Sequence, residues 1–317
     1  ALALLACREA LGSDTLPPGL AVVGATTSAD MRASEPAWAA LAQGHEPADP
    51  DSFVWPQLCH LPTERVCQMF ETRGPRRTLS TACTSGTVAL ASAADLIRLG
   101  RATAALVVGS DALCEITLAG FGSLGVYSPE PTRPFDAQRQ GMNIGEGAGA
   151  LLLEDLDAAL ARGARPLAIL AGAANTSDAH HLSAPQPEGE GARRAIRAAL
   201  GDLHPSRVGY VSAHATGTEL NDAMEAGALL AELPEAAVSG QKGAIGHTLG
   251  AAGAIEAIVA ICAMDQGRLP ANVGCVTSGF PDLDLVGSTR AQRVDAVMSV
   301  NFAFGGHNAA VLFTRPA

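Results

Sequence analysis

The stretches TSGTVALASAADLIRL (residues 84–99) and TLGAAGAIEAIVAICAM (residues 248–264) read as two versions of one helix, one in each half of the chain. Each opens on a hydroxyl residue and a glycine, then carries Ala, Gly, Leu, Ile or Val at most positions. Charge enters only at Asp95 and Arg98 in the first and at Glu256 in the second. A helix apolar nearly all round has no face for water and belongs inside the protein. Side chains this small let two such helices approach closely and sit between sheets. The two halves of the chain thus echo each other in a pair of buried helices that could lie between sheets; two ordinary core helices is the alternative reading before the flanking residues are considered.

Working outward, short Val/Leu/Ile runs at 20–24, 104–109, 149–154, 167–170, 208–213, 295–300 and 309–313 read as buried strands. They alternate with helical stretches at 87–99, 156–162, 191–200, 222–233 and 249–265. No low-complexity linker divides the chain. A soft boundary near 155–165 separates an N-terminal half, 1–155, from a C-terminal half, 156–317. The 317 residues are 48% hydrophobic and 17% charged, which suits a large core and excludes a disordered tail, a coiled coil or a disulfide-stapled mini-domain. A net charge of −11 disfavours nonspecific binding to nucleic acid or anionic membrane. No apolar run is long enough to predict a membrane span. The seven cysteines are widely spaced with no C-x-x-C pair, so they are expected as reduced thiols in a cytoplasmic protein. The opening ALALLACREAL lacks a basic leader and meets Arg8 and Glu9; it reads as a helix entered part-way in a chain truncated at its start.

Several residues could carry chemistry. Cys83, in STACTSG (80–86), immediately precedes the first buried helix. The unpaired N–H groups and dipole of a helix start should lower its pKa and could hold an oxyanion. An inert buried cysteine is the alternative, and it fits the other six. His214 follows the strand VGYVSA (208–213), at the end where α/β sheets gather ligands. Thr216 and Thr218 stand just beyond it, placed to bond an amide-bearing chain; taken alone, His214 could equally be a satisfied histidine. His247, in KGAIGHTLGAAGA (242–254), opens the second buried helix as Cys83 opens the first. Burial and the dipole should keep its imidazole neutral, a donor of an N–H bond. Lys242 is the only lysine among 21 cationic residues; chance aside, its retention asks for a compact ammonium. In SVNFAFGGHNAAVLF (299–313), Gly305 and Gly306 allow close backbone approach, and Phe304 could close a pocket or pack in the core.

Other signals fail. GEGAGA (145–150) is no dinucleotide fingerprint and leads into a strand. There is no phosphate-binding loop, zinc-protease motif or serine-hydrolase elbow. His180 and His181 are adjacent and cannot both face one ion from regular structure, so no metal is expected.

Read in order, TACTSG, AHATGT, KGAIGHTLGAAGA and NFAFGGHN closely resemble the elongating β-ketoacyl-[acyl-carrier-protein] synthases. TRPFDAQRQGMNIGEGAG (132–149) and NTSDAHHLSAP (175–185) add to the likeness, which covers essentially the whole chain. The resemblance implies a thiolase-like fold, two similar halves forming a five-layered α-β-α-β-α sandwich, usually dimeric. It implies that Cys83 accepts an acyl group from carrier-protein phosphopantetheine. His214 and His247 would assist decarboxylation of malonyl-carrier protein, with Lys242 completing their network and Glu256 tied to it. Thr216 and Thr218 would bond the pantetheine arm. Phe304 would be the gating residue, its N–H and that of Cys83 forming the oxyanion hole. No cofactor is implied beyond the phosphopantetheine of the carrier, and the partners would be acyl-carrier protein and a second synthase subunit, identical or paralogous.

Two readings compete with that one: a non-catalytic chain-length-factor-like subunit, and a thiolase-like acyltransferase on coenzyme A esters. The chain departs from the family in the missing opening strand, in Met142-Asn143 and in Ala303 before the gating Phe. These features, with SPEPTRPFD (128–136), resemble the synthases of aryl-polyene pigment clusters. Arg73, Arg76 and Arg77 form one basic cluster that could meet an acidic carrier or simply be a solvated turn.

Overall fold

The apolar runs assemble into two mixed sheets. In this computed structural model residues 1–316 are described, apart from 13–15, 18, 48 and 50 and the side chains of 51 and 52. The first sheet contains β1 (Ala21–Ala25), β2 (Arg76–Leu79), β3 (Ala104–Asp111) and β4 (Gly147–Glu154), in the order β2-β1-β3-β4. The second contains β5 (Ile169–Ser177), β6 (Val208–Ala213) and β7 (Ala237–Gly240), with β10 (Ala296–Ala303) and β11 (His307–Thr314). Its order is β5-β11-β10-β6-β7, and β8 (Arg268–Leu269) with β9 (Arg290–Ala291) forms a separate ribbon. In each sheet three strands run parallel and the next returns antiparallel, so β2, β1, β3 and β4 match β7, β6, β10 and β11. β5 extends the second sheet alone.

Five layers follow. Helices Leu2–Leu11 and Leu61–Met69 cover the outer face of the first sheet, and helices Glu190–Leu200 and Glu219–Glu232 the outer side of the second. Helices Ser85–Arg98 and Ala252–Gln266 lie between the sheets. With both faces of each sheet covered, the central strands are apolar over most of their length and the side-chain direction alternates. Val22, Leu106 and Val108 point outward to Cys7 and Val66, whereas Val23, Ala105 and Val107 point inward to Ala89, Leu90 and Ala257. Each fully buried Val or Leu contributes about 1.5–3 kcal/mol relative to exposure.

The small residues of the central helices do what their size suggests. A Cβ on Gly86 would stand 2.5 Å from the backbone nitrogen of Ala254, and one on Gly253 would stand 2.5 Å from that of Thr87. Only glycine permits this crossing, which brings the two helix N-termini together. The segment Leu249–Gln266 is long and apolar enough to cross a membrane, but it is the central helix and its preceding turn, packed inside the sandwich.

The strand expected at 167–170 instead runs to Ser177, because the small residues of GAANTS pair with β11 along its length. β2 and β7, and helices Glu35–Ala42, Leu61–Met69 and Glu115–Ser123, carry no strong apolar period and were not anticipated. Arg76 and Arg77 lie on β2, the edge strand, where Arg76 pairs with Glu64 and Arg77 donates to the Ser92 hydroxyl.

Candidate active site

The turn before the first central helix is built by hydroxyls. Thr84 donates to the carbonyl of Thr81 (2.7 Å), Ser85 donates to the carbonyl of Ala82 (2.6 Å), and the Ser85 oxygen accepts from the Thr81 N–H. Ala82 is held at φ +51, a strained position for a residue with a Cβ. The turn delivers Cys83 to the floor of a cavity of about 410 Å³. His247 reaches the same point from the second half, its Nε2 3.0 Å from Cys83 Sγ. His214 stands edge-on to His247, with ring centroids 5.3 Å apart.

Hydrogen bonding fixes both imidazoles. The Nδ1 of His247 accepts from the Leu249 N–H at 3.2 Å. The Nδ1 of His214 accepts from Lys242 Nζ and from the side-chain amide of Asn301, each at 3.2 Å. A nitrogen that accepts carries no proton, so both rings hold theirs on Nε2. Burial, reinforced by the nearby Lys242 charge, pushes both imidazoles well below the usual histidine range. Two neutral N–H donors thus serve the space above one thiol. The ligating atoms of Cys83, His214 and His247 lie within 4.8 Å of one another, a metal-like spacing. With protons on both Nε2 atoms, however, the set suits an oxygen gaining negative charge rather than a cation.

Behind His214 lies a buried charged network. Lys242 Nζ donates to Glu256 Oε1 and to the backbone oxygen of His214, both at 2.5 Å. Asn301 donates to Glu256 Oε2 at 2.6 Å, and its own oxygen accepts from Thr87 on the first central helix. Burial raises the Glu256 pKa, while Lys242 and the Asn301 hydrogen bond pull it back. On the backbone side, Glu225 accepts the N–H groups of His214 and Ala215, each at 2.7 Å, with Ala215 at φ +45. Burial pushes Glu225 up to about 8. Asp222 ties the same loop to the segment after Thr132 by accepting from the Gly217 and Phe135 N–H groups.

The expectation for the thiol needs correction. Burial pushes Cys83 up to about 12, with the Lys242 charge pulling back. Thr84, not Cys83, is the cap residue, so the helix start acts on the sulfur only from beyond it. Desolvation therefore exceeds the dipole and favours the thiol form of Cys83.

The remaining expected residues surround the cavity. Thr216 and Thr218 line its wall with their hydroxyls 2.8 Å apart. Phe304, half-buried at the mouth, stacks on Phe121 with centroids 5.9 Å apart. His181 is an exposed turn former, its Nδ1 accepting from the Ser183 and Ala184 N–H groups.

Asn301, Glu225 and Phe121 were missed. Asn301 is the one side-chain amide in the apolar strand AVMSVNFA, and Glu225 a charge on the buried face of ELNDAMEAGALLAE; both were visible as polar residues at core positions. Phe121 sits on a helix with no buried residue and gave no sequence signal.

Two duplicated halves, a thiol and two N–H-bearing imidazoles define a condensing-enzyme architecture of the thiolase-like type, and comparison with known proteins agrees. The beta-ketoacyl synthase N-terminal domain matches residues 1–159, and the beta-ketoacyl synthase C-terminal domain matches residues 167–276. The chain belongs to the beta-ketoacyl synthase family. It is 39% identical over 259 residues to a 3-oxoacyl-[acyl-carrier-protein] synthase 2 of Synechocystis sp., a match covering 77% of this chain and 62% of that enzyme's length. The ishigamide ketosynthase/chain length factor superposes with a TM-score of 0.93 at 30% identity, covering 100% of this chain and 81% of the other. A type II polyketide ketosynthase structure solved in complex with its acyl-carrier protein superposes with a TM-score of 0.92 at 28% identity, over 100% and 84%.

Proposed function

We propose that this chain is a β-ketoacyl-[acyl-carrier-protein] synthase, an acyltransferase performing decarboxylative condensation on carrier-bound substrates in fatty-acid or polyketide assembly. The observation that carries the reading is the pair of imidazoles, each with Nδ1 occupied as an acceptor, meeting at Cys83. In the first step Cys83 Sγ attacks the thioester carbonyl of an acyl-carrier protein. A new S–C bond forms, and the carrier's phosphopantetheine thiolate leaves with the thiol proton. Although the resting thiol is protonated, the His247 Nε2–H can stabilise the sulfur as its charge grows.

In the second step a malonyl thioester binds in the emptied cavity, its carbonyl oxygen toward the Nε2–H groups of His214 and His247. The carboxylate carbon leaves as carbon dioxide, and its electron pair becomes an enolate. Two preorganised donors stabilise that oxyanion, each worth about 10²–10³ in rate. The enolate carbon attacks the Cys83 thioester, and the thiolate leaves to give a 3-oxoacyl-carrier protein. Lys242, Asn301 and Glu256 hold the His214 ring. The N–H groups of Cys83 and Phe304 form the oxyanion hole for the acyl carbonyl. Thr216 and Thr218 bond the pantetheine arm, and Phe304 gates the cavity. No cofactor is required beyond the phosphopantetheine on the carrier.

The division into halves 1–155 and 156–317 assigns the nucleophile to one and both imidazoles to the other. The working partners are acyl-carrier protein and a second ketosynthase-type subunit, identical or paralogous, in the cytoplasm. The test is condensation of acyl- and malonyl-carrier proteins, read as carbon dioxide and 3-oxoacyl product, beside His214→Ala and His247→Ala. Loss of carbon dioxide release in both variants supports the assignment. A folded protein that releases none with any acyl length contradicts it, and points to the chain-length-factor-like subunit.

A further inference from the structure

Asp111 ends β3 inside the protein, 2% exposed, and takes no part in the steps above. Its Oδ1 accepts from the Thr26 hydroxyl (2.6 Å), the Ser28 hydroxyl (2.8 Å) and the Ser28 N–H (2.9 Å), all on the loop leaving β1. Its Oδ2 accepts from the Thr27 N–H at 2.8 Å and, across the boundary between the halves, from the Gly250 N–H at 2.7 Å. The approach is tight, since a Cβ on Gly250 would lie 2.7 Å from both Oδ2 and the Thr27 nitrogen.

Between His247 and Gly250 the chain must turn. Leu249 does so at φ +53, a conformation its Cβ disfavours. That strained residue aims its N–H at the Nδ1 of His247 (3.2 Å). The His247 main chain is independently fixed, its N–H donating to Asn143 and its oxygen accepting from Gly145. What remains adjustable is the Leu249 amide, and the next amide along is the one Asp111 holds.

We infer that Asp111 is a positioning residue for the reacting pair: by gripping Gly250 from the opposite half, it keeps Leu249 in its strained turn and so fixes the proton of His247 on Nε2, facing Cys83. The inference rests on Cys83 and His247 being the reacting pair, and it gives the two halves a shared duty at the site. A carboxylate is required because Oδ1 accepts from Thr26 and Ser28 while Oδ2 accepts from both Thr27 and Gly250. Asn at this position offers one acceptor oxygen and an NH₂ that cannot accept.

The test uses the full chain with ¹⁵N-labelled histidine and needs no substrate. In the wild-type protein His247 is expected to show an unprotonated Nδ1 and a protonated Nε2; the reverse overturns the inference whatever the variants do. In Asp111→Asn, checked by circular dichroism, His247 is expected to show a mixture of tautomers. Ser28→Ala, which leaves the Gly250 bond intact, should lose stability without moving the His247 tautomer. Adding Leu249→Gly to Asp111→Asn relieves the turn and should restore the single tautomer. A folded Asp111→Asn with wild-type ¹⁵N shifts overturns the inference. If condensation fails in the wild type while these results hold, the functional reading falls, and only the control of the His247 tautomer by Asp111 stands.

Discussion

Lys242→Met isolates the buried network behind His214. The Lys242 and Glu256 side chains are 1% and 2% exposed, with Nζ 2.5 Å from Oε1. Removing the cation leaves a carboxylate in the core with Asn301 as its remaining partner. Breaking one side of a buried pair costs about 3–5 kcal/mol. At roughly 2 °C per kcal/mol for a chain this long, Tm should fall by ~6–10 °C. Lys242→Met with Glu256→Gln buries no unpaired charge and should recover most of that loss.

The pH dependence has a definite sign. Burial already raises the Glu256 pKa and Lys242 opposes this, so the single variant lets it rise further. A carboxyl raised above its unfolded value contributes stability below the unfolded pKa and loses it as pH rises through the folded one. The single variant's deficit should therefore be smaller at pH 5 than at pH 8. The assay is calorimetric melting of wild type, both single variants and the double across that range. A Lys242→Met protein that melts with the wild type, or a double variant no better than the single, refutes the buried-pair reasoning.

Alkylation of Cys83 should accelerate about tenfold per pH unit from pH 7 to 10, because burial holds the thiol near 12; a plateau near pH 7 would mean a preformed thiolate. Glu225, raised by burial to about 8, contributes stability below its unfolded pKa and loses it as pH rises through about 8. The Tm of Glu225→Gln relative to wild type should accordingly climb from pH 5 to pH 9, and a pH-independent difference counts against the shift. Phe121→Ala removes the ring stacked on Phe304, an aromatic contact worth about 0.5–1.5 kcal/mol. It should broaden the range of acyl lengths transferred to Cys83, and Ala303→Gly, which frees the turn before Gly305, should act in the same direction. An unchanged chain-length profile in both variants would show that the ring pair does not set access.

What the sequence made legible was whatever depended on residue type over a contiguous stretch. The two Ala-rich helices announced their burial because no arrangement of TLGAAGAIEAIVAICAM offers a solvent face. Cys83, His214, Lys242 and His247 stood out through the motifs around them, and the structure brings them within one network. The Cys83 pKa went the other way because a helix start is a local feature, whereas desolvation is set by everything packed over the thiol. Asn301 and Glu225 were visible only as polar residues in apolar elements, without a hint of partners 45 and 10 residues away. Phe121 and Asp111 depend on contacts across the fold: a ring 183 residues along the chain, 304 − 121, and an amide 139 residues away. No periodicity carries that information.

The measurement that tests the central claim most directly is the intact mass of the protein after incubation with an acyl-loaded carrier protein, followed by peptide mapping. The account predicts a gain of one acyl group on the peptide containing Cys83, absent in Cys83→Ala. A folded protein that gains no acyl mass, or one in which the gain persists in Cys83→Ala, contradicts it.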